Sequence, residues 1–417
     1  MSSPLAPREA ALRILEHVRP QPALRVPLDD ALDAVLAEDI TSPLDLPAWP
    51  NSAMDGYAAR SQDVRGARPE RPTTLQVLES IPAGAFPSRT LSAGTCARIF
   101  TGAPLPEGAD SVIRQEDTDQ GAQVVRIFDD RDAGMNVRAA GEDIRRGTLA
   151  LPIGTVLGPA QLGMLAALGV ANPMIYRRPR VGLLSSGDEI ADVDQPDQIL
   201  SGRKIGSSNS HSLRAQIRRA GGEPVDLGIA RDTRDSLRDH LSGAPACDLL
   251  ITTAGISVGE HDHLRAVMAE LGAELAFWRL AMRPGAPVGF GMLGPLPWVG
   301  LPGNPVSAMV TFELFGRSAI RRLAGHRNCF RRAVAVRVAE PIRVAPHLQH
   351  FLRVVVSEGP TGPEARLTGA QGSGILSSMV KANALLIIPQ GQPETPPGAT
   401  ALAIPLEGTG HVALPPF

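Results

Sequence analysis

The segment Trp298-Val-Gly-Leu-Pro-Gly-Asn-Pro-Val-Ser-Ala308 decides the fold class, because it joins a strand to the start of a long helix. The apolar run ends at Leu301, and apolar residues at helical spacing continue to Leu323. Asn304 suits the capping position of that helix, and Pro305 suits its first turn. A strand that leads directly into a helix is the repeating unit of α/β domains.

Outward from this segment, strand-like and helix-like runs alternate throughout residues 180–324. The predicted strands are Val181–Leu184, Val225–Ile229, Leu249–Thr252, Leu275–Leu280, Val288–Phe290 and Trp298–Leu301. The predicted helices are Ser210–Ala220, Ser236–Leu241, His263–Leu271 and Val306–Leu323. This alternation predicts a three-layer α/β domain around a mostly parallel sheet.

The rest of the chain contains short apolar runs separated by Gly, Pro and Asp, which predicts a multidomain fold of the α/β plus all-β class. Helices are predicted over residues 7–18 and from Pro27 to Val35. The predicted domains are a discontinuous N-terminal domain (1–50 and 141–176), a small, mostly β domain (51–140), the α/β domain (177–326) and a C-terminal β-barrel-like domain (327–417).

Composition excludes several classes of protein. The 41 Lys and Arg residues nearly balance the 43 Asp and Glu residues, so no basic nucleic-acid footprint is expected. The three cysteines lie far apart, which argues against a disulfide scaffold and against a cysteine-based zinc site. No apolar run reaches the ~18 residues of a membrane span, and the N-terminus has no apolar signal core. The expectation is a cytoplasmic protein that acts on neither nucleic acid nor membrane.

Three loops follow predicted strands, at the sheet edge where α/β domains bind ligands. The first contains Ser186, Asp188 and Glu189, and two adjacent carboxylates can hold Mg²⁺. A turn in which Asp188 caps the next segment is the alternative. The third loop, residues 300–305, opens the long helix, whose free amides can bind a phosphate. Ordinary helix-start chemistry without a ligand is the alternative there.

The second loop contains Gly255, Ser257, Gly259 and Asp262. A glycine-rich turn can wrap a phosphate-bearing ligand with its amides, and a flexible connector is the alternative.

Two arginines, Arg279 and Arg283, lie near the end of a predicted strand, where they can clamp an oxyanion or form surface ion pairs. None of the three loops has the glycine fingerprint of a P-loop ATPase or a Rossmann dehydrogenase.

Seven motifs occur in one order along the chain, namely Asn51-Ser-Ala-Met-Asp-Gly-Tyr-Ala58, Thr101-Gly-Ala-Pro-Leu-Pro-Glu-Gly-Ala-Asp110, Gly141-Glu-Asp-Ile144, Ser186-Gly-Asp-Glu189, Gly255-Ile-Ser-Val-Gly-Glu260, Gly300-Leu-Pro-Gly-Asn-Pro-Val-Ser-Ala308 and Gln371-Gly-Ser-Gly-Ile-Leu-Ser-Ser-Met379. Together they resemble the molybdopterin molybdenumtransferase family, which shares its fold with the C-terminal part of gephyrin. The resemblance covers essentially the whole chain.

This resemblance implies an enzyme that inserts molybdate into adenylylated molybdopterin, releases AMP and requires Mg²⁺. It implies a homodimer with four domains per subunit, in which the discontinuous N-terminal domain contributes to dimerisation. The α/β domain would bind the molybdopterin nucleotide, and the active site would be shared between subunits. A molybdopterin adenylyltransferase upstream is also implied.

The resemblance implies roles for particular residues as well. Catalytic roles are implied for Asp55, Thr101, Glu189 and Asp262, the first two acting from the partner chain. Asp188, Glu189 and Asp262 would hold Mg²⁺. Substrate-binding roles are implied for Ser186, Gly187, Asp188, Asp232, Gly255, Ser257, Gly259, Arg279, Arg283, Pro302, Gly303, Asn304 and Ser373. Because the reaction needs little covalent work by the protein, no Ser or Cys nucleophile is expected.

Three positions depart from the family pattern. Ala286 stands where a lysine is usual, Ala254 where a glycine is usual, and Gly206 where a tyrosine is usual. Because all three lie in the α/β domain, they bear on ligand affinity, and two alternatives stay open. One is a paralogue that handles another oxyanion, such as tungstate, or another pterin. The other is a non-catalytic dimeric scaffold.

Overall fold

The structure is a computed structural model, and it describes residues 4–254, 263–408 and 410–417. The chain forms two compact units. The larger unit comprises residues 1–38, 154–162 and 171–417, and the smaller unit comprises residues 39–153 and 163–170. In the described residues, no helix has the length and apolar character needed to cross a membrane.

The larger unit contains a six-stranded central sheet, whose order from one edge is Glu223–Ala230, Arg180–Ser186, Leu249–Thr253, Leu296–Leu301, Gly289–Leu293 and Ala273–Phe277. The first four strands are parallel, and the last two run antiparallel to their neighbours. The mostly parallel sheet expected from the alternating pattern is therefore confirmed.

Helices cover both faces of this sheet because successive strand residues point to opposite sides. Leu249 and Ile251 pack in a core with the helices Pro7–His17, Ser208–Ala220 and the long helix that starts at Pro305. Leu250 packs in a second core with the helices Arg234–Leu241 and His263–Glu270. These two cores make the three layers that the sequence predicts.

The long helix runs through three consecutive segments, Pro305–Thr311, Phe312–Gly316 and Arg317–Leu323. The middle segment has π-helical hydrogen bonding, which adds a residue to the turn. The helix expected over residues 306–323 is confirmed, with this wider turn inside it.

The helix predicted from Pro27 to Val35 is wrong. The structure has only a short 3₁₀ helix, Leu28–Ala31, after which the backbone becomes extended at Leu32. Asp33 has φ 62°, and Val35 forms a β-bridge with Val156. The apolar spacing was helical, but pairing with a distant strand segment determined the local conformation.

The C-terminal region of the larger unit is a closed five-stranded barrel, with the strand order Gln349–Gly359, Gly362–Leu367, Val334–Val338, Thr400–Pro405 and Ala384–Ile388, which returns to the first strand. The barrel interior contains buried side chains such as Val336, Val354 and Leu386. A sixth strand, Met282–Arg283, adds to the outside of Gln349–Gly359. The expected β-barrel-like region is confirmed.

The smaller unit contains a five-stranded sheet in the order Ser111–Arg114, Gly56–Ala59, Thr95–Ile99, Thr73–Ile81 and Val124–Ile127. Its core includes Tyr57, Leu75 and Ile113. A two-stranded ladder beside it joins Asn51–Ser52 to Val137–Arg138. The β unit expected in the N-terminal half is therefore present.

Short helices and ladders complete the two units. The short helices are Ser61–Val64, Pro159–Ala167, Pro196–Leu200 and Leu376–Lys381. The remaining two-stranded ladders are Ala23–Arg25 with Met174–Tyr176, Ile40–Thr41 with Leu149–Leu151, Ile190–Ala191 with Ile205–Gly206, Phe330–Arg331 with His411–Val412, and Ile342–Arg343 with Glu394–Thr395.

Candidate functional site

The loops singled out in the α/β domain leave from one edge of the central sheet. Ser185 is opposite Thr253, and Thr253 is opposite Leu301, so the carboxyl ends of these three parallel strands are neighbours. Ser185 also forms hydrogen bonds between its hydroxyl and the hydroxyls of Thr253 (3.1 Å) and Ser210 (3.0 Å). The ligand-binding edge that the topology predicts is thus where the candidate loops begin.

Two aspartates meet at the first of these strand ends. The amide of Asp188 donates to Oδ2 of Asp232, and the amide of Asp232 donates to Oδ1 of Asp188, both at 3.4 Å. Burial raises the pKa of Asp232, and the negative charges of Asp188 and Glu189 raise it further. The structure therefore brings together three of the predicted site residues in an electronegative group that a bound cation would stabilise.

Gly187 is needed for this arrangement. Its φ is +146°, and a Cβ on Gly187 would lie 2.7 Å from Oε2 of Glu189. The Glu189 carboxylate thus sits directly over the glycine. Lys204 donates from Nζ to the carbonyl oxygen of Asp188, which ties the loop to the segment before the helix Ser208–Ala220. Ser186 is the last, buried residue of the strand before the loop.

A magnesium ion fits the donor chemistry of this group, because Mg²⁺ prefers carboxylate oxygens. Asp188, Glu189 and Asp232 supply such oxygens from two loops. Among the described residues, however, no cluster of three or more Asp, Glu, His or Cys side chains is arranged to hold a metal on its own. Water or substrate oxygens would complete the coordination, as is usual for Mg²⁺.

The second candidate loop lies outside the described residues. Gly255, Ser257, Gly259 and Asp262 all fall in the segment 255–262, so their predicted roles stay predictions.

A cavity of about 450 Å³ lies beside the carboxylates and is lined by Glu189, Ile190, Ile205, Gly206, Ser207, Ser208, Asn209, Ala254, Pro287, Pro302, Gly303, Asn304 and Pro305. The first loop and the loop before the long helix both contribute to its walls. Two family departures, Gly206 and Ala254, also line it. Ala254 has φ 66°, a conformation that glycine adopts more easily.

A buried asparagine connects the two walls of this cavity. Asn209 is 7% exposed, and its Nδ2 donates to the carbonyl oxygen of Gly303 at 2.7 Å. Its Oδ1 is buried and has no hydrogen-bond partner. An unpaired buried acceptor is costly, so a hydrogen-bond donor would stabilise this oxygen.

The start of the long helix lacks the side-chain capping hydrogen bond that ordinary helix-start chemistry would provide. Asn304 occupies the capping position, but its side chain makes no capping hydrogen bond. The amide of Val306 donates instead to the carbonyl oxygen of Ser373 at 3.1 Å. The structure thereby brings the predicted residue Ser373 to the helix start, although the two lie far apart in sequence.

Arg283 lies in the strand that adds to the barrel, and it lines a cavity of about 600 Å³ in the larger unit. His350, Arg353 and Gln371 line the same cavity. Arg279 is exposed and does not line this cavity, while its carbonyl oxygen accepts from the amide of Leu5 at 3.0 Å. The two arginines predicted as a pair thus have different surroundings.

Sequence reasoning missed Arg353, which is 1% exposed. Its Nε donates to Oγ of Ser378 (3.0 Å), and its Nη2 donates to the carbonyl oxygen of Gly372 (2.9 Å). Burial lowers the pKa of Arg353. Among the described residues, no carboxylate oxygen lies within 4.0 Å of its guanidinium nitrogens. A buried cation without a counter-ion indicates that an anion binds there.

His350 is the titratable group next to these arginines. Its Nε2 bonds to the carbonyl oxygen of Ala345 at 3.0 Å, which assigns the proton to that nitrogen. Burial lowers the pKa of His350, and the nearby charge of Arg283 lowers it further. His350 is therefore neutral at pH 7, and the positive charge of the cavity comes from the arginines.

In the smaller unit, the structure joins Asp55 to Thr101. The amide and the hydroxyl of Thr101 donate to Oδ1 of Asp55 at 2.8 and 2.7 Å. These bonds, with the charge of Arg98, lower the pKa of Asp55. Gly56 has to be glycine, because a Cβ there would lie 1.9 Å from the carbonyl oxygen of Ile113. The result is an ionised carboxylate in a fixed orientation.

Three family models match consecutive parts of the chain. Residues 5–169 match the MoeA N-terminal region (domain I and II), residues 182–322 match a probable molybdopterin binding domain, and residues 335–406 match the MoeA C-terminal region (domain IV). A solved structure of a molybdopterin biosynthesis moeA protein from Pyrococcus horikoshii OT3 is 28% identical, with a TM-score of 0.82 over 96% of this chain and 100% of that one.

Curated relatives are similar over nearly their full length. The molybdopterin molybdenumtransferase of Nostoc sp. is 36% identical, across 89% of this chain and 86% of its own. Molybdopterin molybdenumtransferase 2 of Mycobacterium tuberculosis is 37% identical, across 92% of this chain and 95% of its own. This chain therefore belongs to the molybdopterin molybdenumtransferase family and is a transferase of molybdenum cofactor biosynthesis.

Proposed function

We propose that this protein inserts molybdate into adenylylated molybdopterin, with release of AMP and a requirement for Mg²⁺. The observation that carries the proposal is the buried guanidinium of Arg353, which has no carboxylate partner among the described residues and shares a cavity with Arg283. Molybdate is a tetrahedral dianion, and arginines bind such oxyanions with paired N–H groups. Arg353 is held by Ser378 and Gly372, so it is oriented before the ligand arrives.

The second substrate suits the cavity of about 450 Å³ beside the carboxylates. Volumes of this size hold ligands such as a pterin or a nucleotide base. The unpaired Oδ1 of Asn209 offers a hydrogen-bond acceptor for a ring N–H group. Gly303 lets the ligand approach the backbone, and the positive end of the long helix favours a phosphate there. These features support the adenylylated substrate.

The carboxylates Asp188, Glu189 and Asp232 would hold Mg²⁺ in this proposal. When bound, the ion would neutralise charge on the phosphate oxygens as the bond to AMP breaks. The two reciprocal hydrogen bonds between Asp188 and Asp232 keep their carboxylates in place. No covalent adduct with the protein is needed. All three cysteines are buried free thiols, and burial raises the pKa of each, so they are poor nucleophiles.

We also propose that a second copy of the chain completes the site with its Asp55 and Thr101. The fixed orientation and the lowered pKa of Asp55 suit a carboxylate that acts in its ionised form. Co-expression of D55A with R283A tests this arrangement. If sites are shared, mixed dimers recover one intact site, and the mixture regains up to about a quarter of wild-type activity. Recovery of no activity would contradict a shared site.

We place the reaction in the cytoplasm, downstream of an adenylyltransferase that supplies the adenylylated pterin.

The proposed activity is tested by incubating purified protein with adenylylated molybdopterin and Mg²⁺, and by following AMP release. We expect AMP release that depends on molybdate and on Mg²⁺. Release driven by tungstate but not by molybdate would favour a paralogue with another oxyanion. Tight pterin binding without AMP release would favour a scaffold that has lost turnover.

A further inference from the structure

A third cavity in the larger unit is rich in arginine and shares no residue with the two cavities described above. Its volume is about 560 Å³. The six arginines in its wall are Arg178, Arg218, Arg219, Arg317, Arg321 and Arg331. They come from several elements: the C-terminal end of the helix Ser208–Ala220, the last segment of the long helix, and flanking loops and strands.

The arginines outnumber the carboxylates near them. Glu313 serves two of them at once, with Oε1 3.4 Å from Nε of Arg317 and 2.5 Å from Nε of Arg331. Glu407 lies 3.5 Å from Arg219, and both of these side chains are largely exposed. Asp33 is the third carboxylate, and of the three it is the one in the lining of the cavity.

Three of the arginines lack a carboxylate partner. Within the part of the chain that the structure describes, Arg178, Arg218 and Arg321 have no carboxylate oxygen within 4.0 Å. Arg178 donates to the carbonyl oxygen of Leu32 (3.1 Å), and Arg321 donates from Nε to that of Asn328 (3.3 Å). Six arginines against three carboxylates leave this cavity with a formal charge of about +3.

Two histidines at the cavity accept hydrogen bonds from its arginines, and His326 does not add to its charge. Nη2 of Arg321 donates to Nδ1 of His326 (3.0 Å), and Nη2 of Arg317 donates to Nε2 of His411 (2.7 Å). A ring nitrogen that accepts a hydrogen bond carries no proton, so the contact with Arg321 favours the neutral ring of His326. Burial, with the charge of Arg321, lowers the pKa of His326 to about 3. The positive charge therefore persists across the physiological pH range.

Close guanidinium groups in a partly buried cavity repel one another, and this arrangement is stabilised when an anion sits between them. The planar donor forks of arginine match phosphate oxygens. The volume exceeds what one phosphate needs and falls within the range of small-molecule sites. A concave site also favours a small ligand over the flat face of an acidic protein. We propose that this cavity binds a small molecule carrying two or more phosphate groups, at a site separate from the one that handles molybdate.

The test uses isothermal titration of the full-length protein with inorganic pyrophosphate. The variant R178A/R218A removes two exposed cations from the cavity, and R337A/R366A removes two exposed cations from barrel strands as a matched control. We expect the dissociation constant of pyrophosphate to rise at least about tenfold in R178A/R218A, because each charge-assisted bond lost weakens binding. In the control it should stay within about twofold of wild type. Equal affinity in all three proteins, or no binding to wild type, would overturn the proposal.

Two further measurements identify the molecule that carries the phosphates and distinguish this cavity from the proposed molybdate site. Tighter binding of ADP than of pyrophosphate would identify a nucleotide as the carrier of the phosphates, and the reverse order would identify the free anion. R283A should keep the pyrophosphate affinity of this cavity and lose molybdate-dependent AMP release, so the two proposals can fail independently.

Chemical protection gives a test that needs no variant. Phenylglyoxal modifies accessible arginines, and mass spectrometry can locate the modified residues. Pyrophosphate should protect Arg218 and leave Arg366 reactive. Equal modification of Arg218 with and without pyrophosphate would overturn the site assignment.

Discussion

Replacing Arg353 by methionine distinguishes a ligand-binding arginine from a structural one. Methionine has a similar length and no charge, so R353M removes the buried cation without opening a large void. Desolvation of a buried ion costs several kcal/mol, while the hydrogen bonds to Ser378 and Gly372 return about 1.5–3 kcal/mol each. Because these contributions nearly cancel, the free energy of unfolding of R353M should lie within about 1 kcal/mol of the wild-type value.

R353M should differ from wild type much more in its response to molybdate than in its free energy of unfolding. When molybdate is present at 100 times its dissociation constant and binds only the folded state, it stabilises the protein by about 2.7 kcal/mol. Urea unfolding with and without molybdate should show this increase in wild type and in the exposed control variant R366M. In R353M the increase should disappear.

Two results would refute this reasoning. A loss of more than about 3 kcal/mol of unfolding free energy in R353M would show that Arg353 supports the fold. An unchanged molybdate response in R353M would show that the oxyanion binds elsewhere, even if the fold is intact.

Three further predictions concern Gly187 beneath the Glu189 carboxylate, Thr101 beside Asp55, and the backbone at Ala254. Gly187→Ala places a Cβ 2.7 Å from Oε2 of Glu189, at a residue whose φ is +146°. The resulting strain of about 1–3 kcal/mol should lower the melting temperature and displace the Glu189 carboxylate, so AMP release should fall at least about tenfold. AMP release at the wild-type rate would contradict this prediction. Thr101→Val removes one of the hydrogen bonds that lower the pKa of Asp55, so that pKa should rise and the acid limb of the pH–activity profile should move to higher pH. Any stability that ionised Asp55 contributes is present above its unfolded pKa and is lost as pH falls through the folded pKa. An acid limb that does not move would argue against a role for Asp55. Ala254→Gly relieves a left-handed backbone at φ 66°, which costs about 1–2 kcal/mol in alanine, while the added entropy of the unfolded chain costs about 0.4–1 kcal/mol. Urea unfolding should therefore show between no change and about 1.6 kcal/mol of extra stability, and a loss of stability would count against the strain.

The α/β sheet could be predicted because its strands carry their own signal. Runs such as Leu249–Thr252 are apolar throughout, and each is followed by a helix pattern with a clear stop, such as Gly221 after Ala220. Since the order of strands and helices determines which loops share a sheet edge, the meeting of Glu189 with Gly303 followed from the same pattern.

The parts that could not be predicted depend on pairing between distant segments. Val35 lies on helical spacing, yet its backbone pairs with Val156, and local spacing carries no trace of that partner. Arg353 sits inside the apolar run Phe351-Leu-Arg-Val-Val-Val356, where a lone arginine was the available signal. The burial of its side chain comes from contact with a later segment, the helix Leu376–Lys381 that carries Ser378, and the run itself gives no sign of that contact.

The most direct test of the central claim is the ratio of molybdenum transferred to AMP released in a single turnover. Purified protein, adenylylated molybdopterin, Mg²⁺ and molybdate are mixed, the pterin product is isolated, and its molybdenum content is measured by mass spectrometry alongside AMP. We predict about one molybdenum per AMP in wild type, since one bond to AMP breaks for each oxyanion inserted, and little of either product in R283A. AMP release without molybdenum in the product, or equal transfer by R283A, would contradict it.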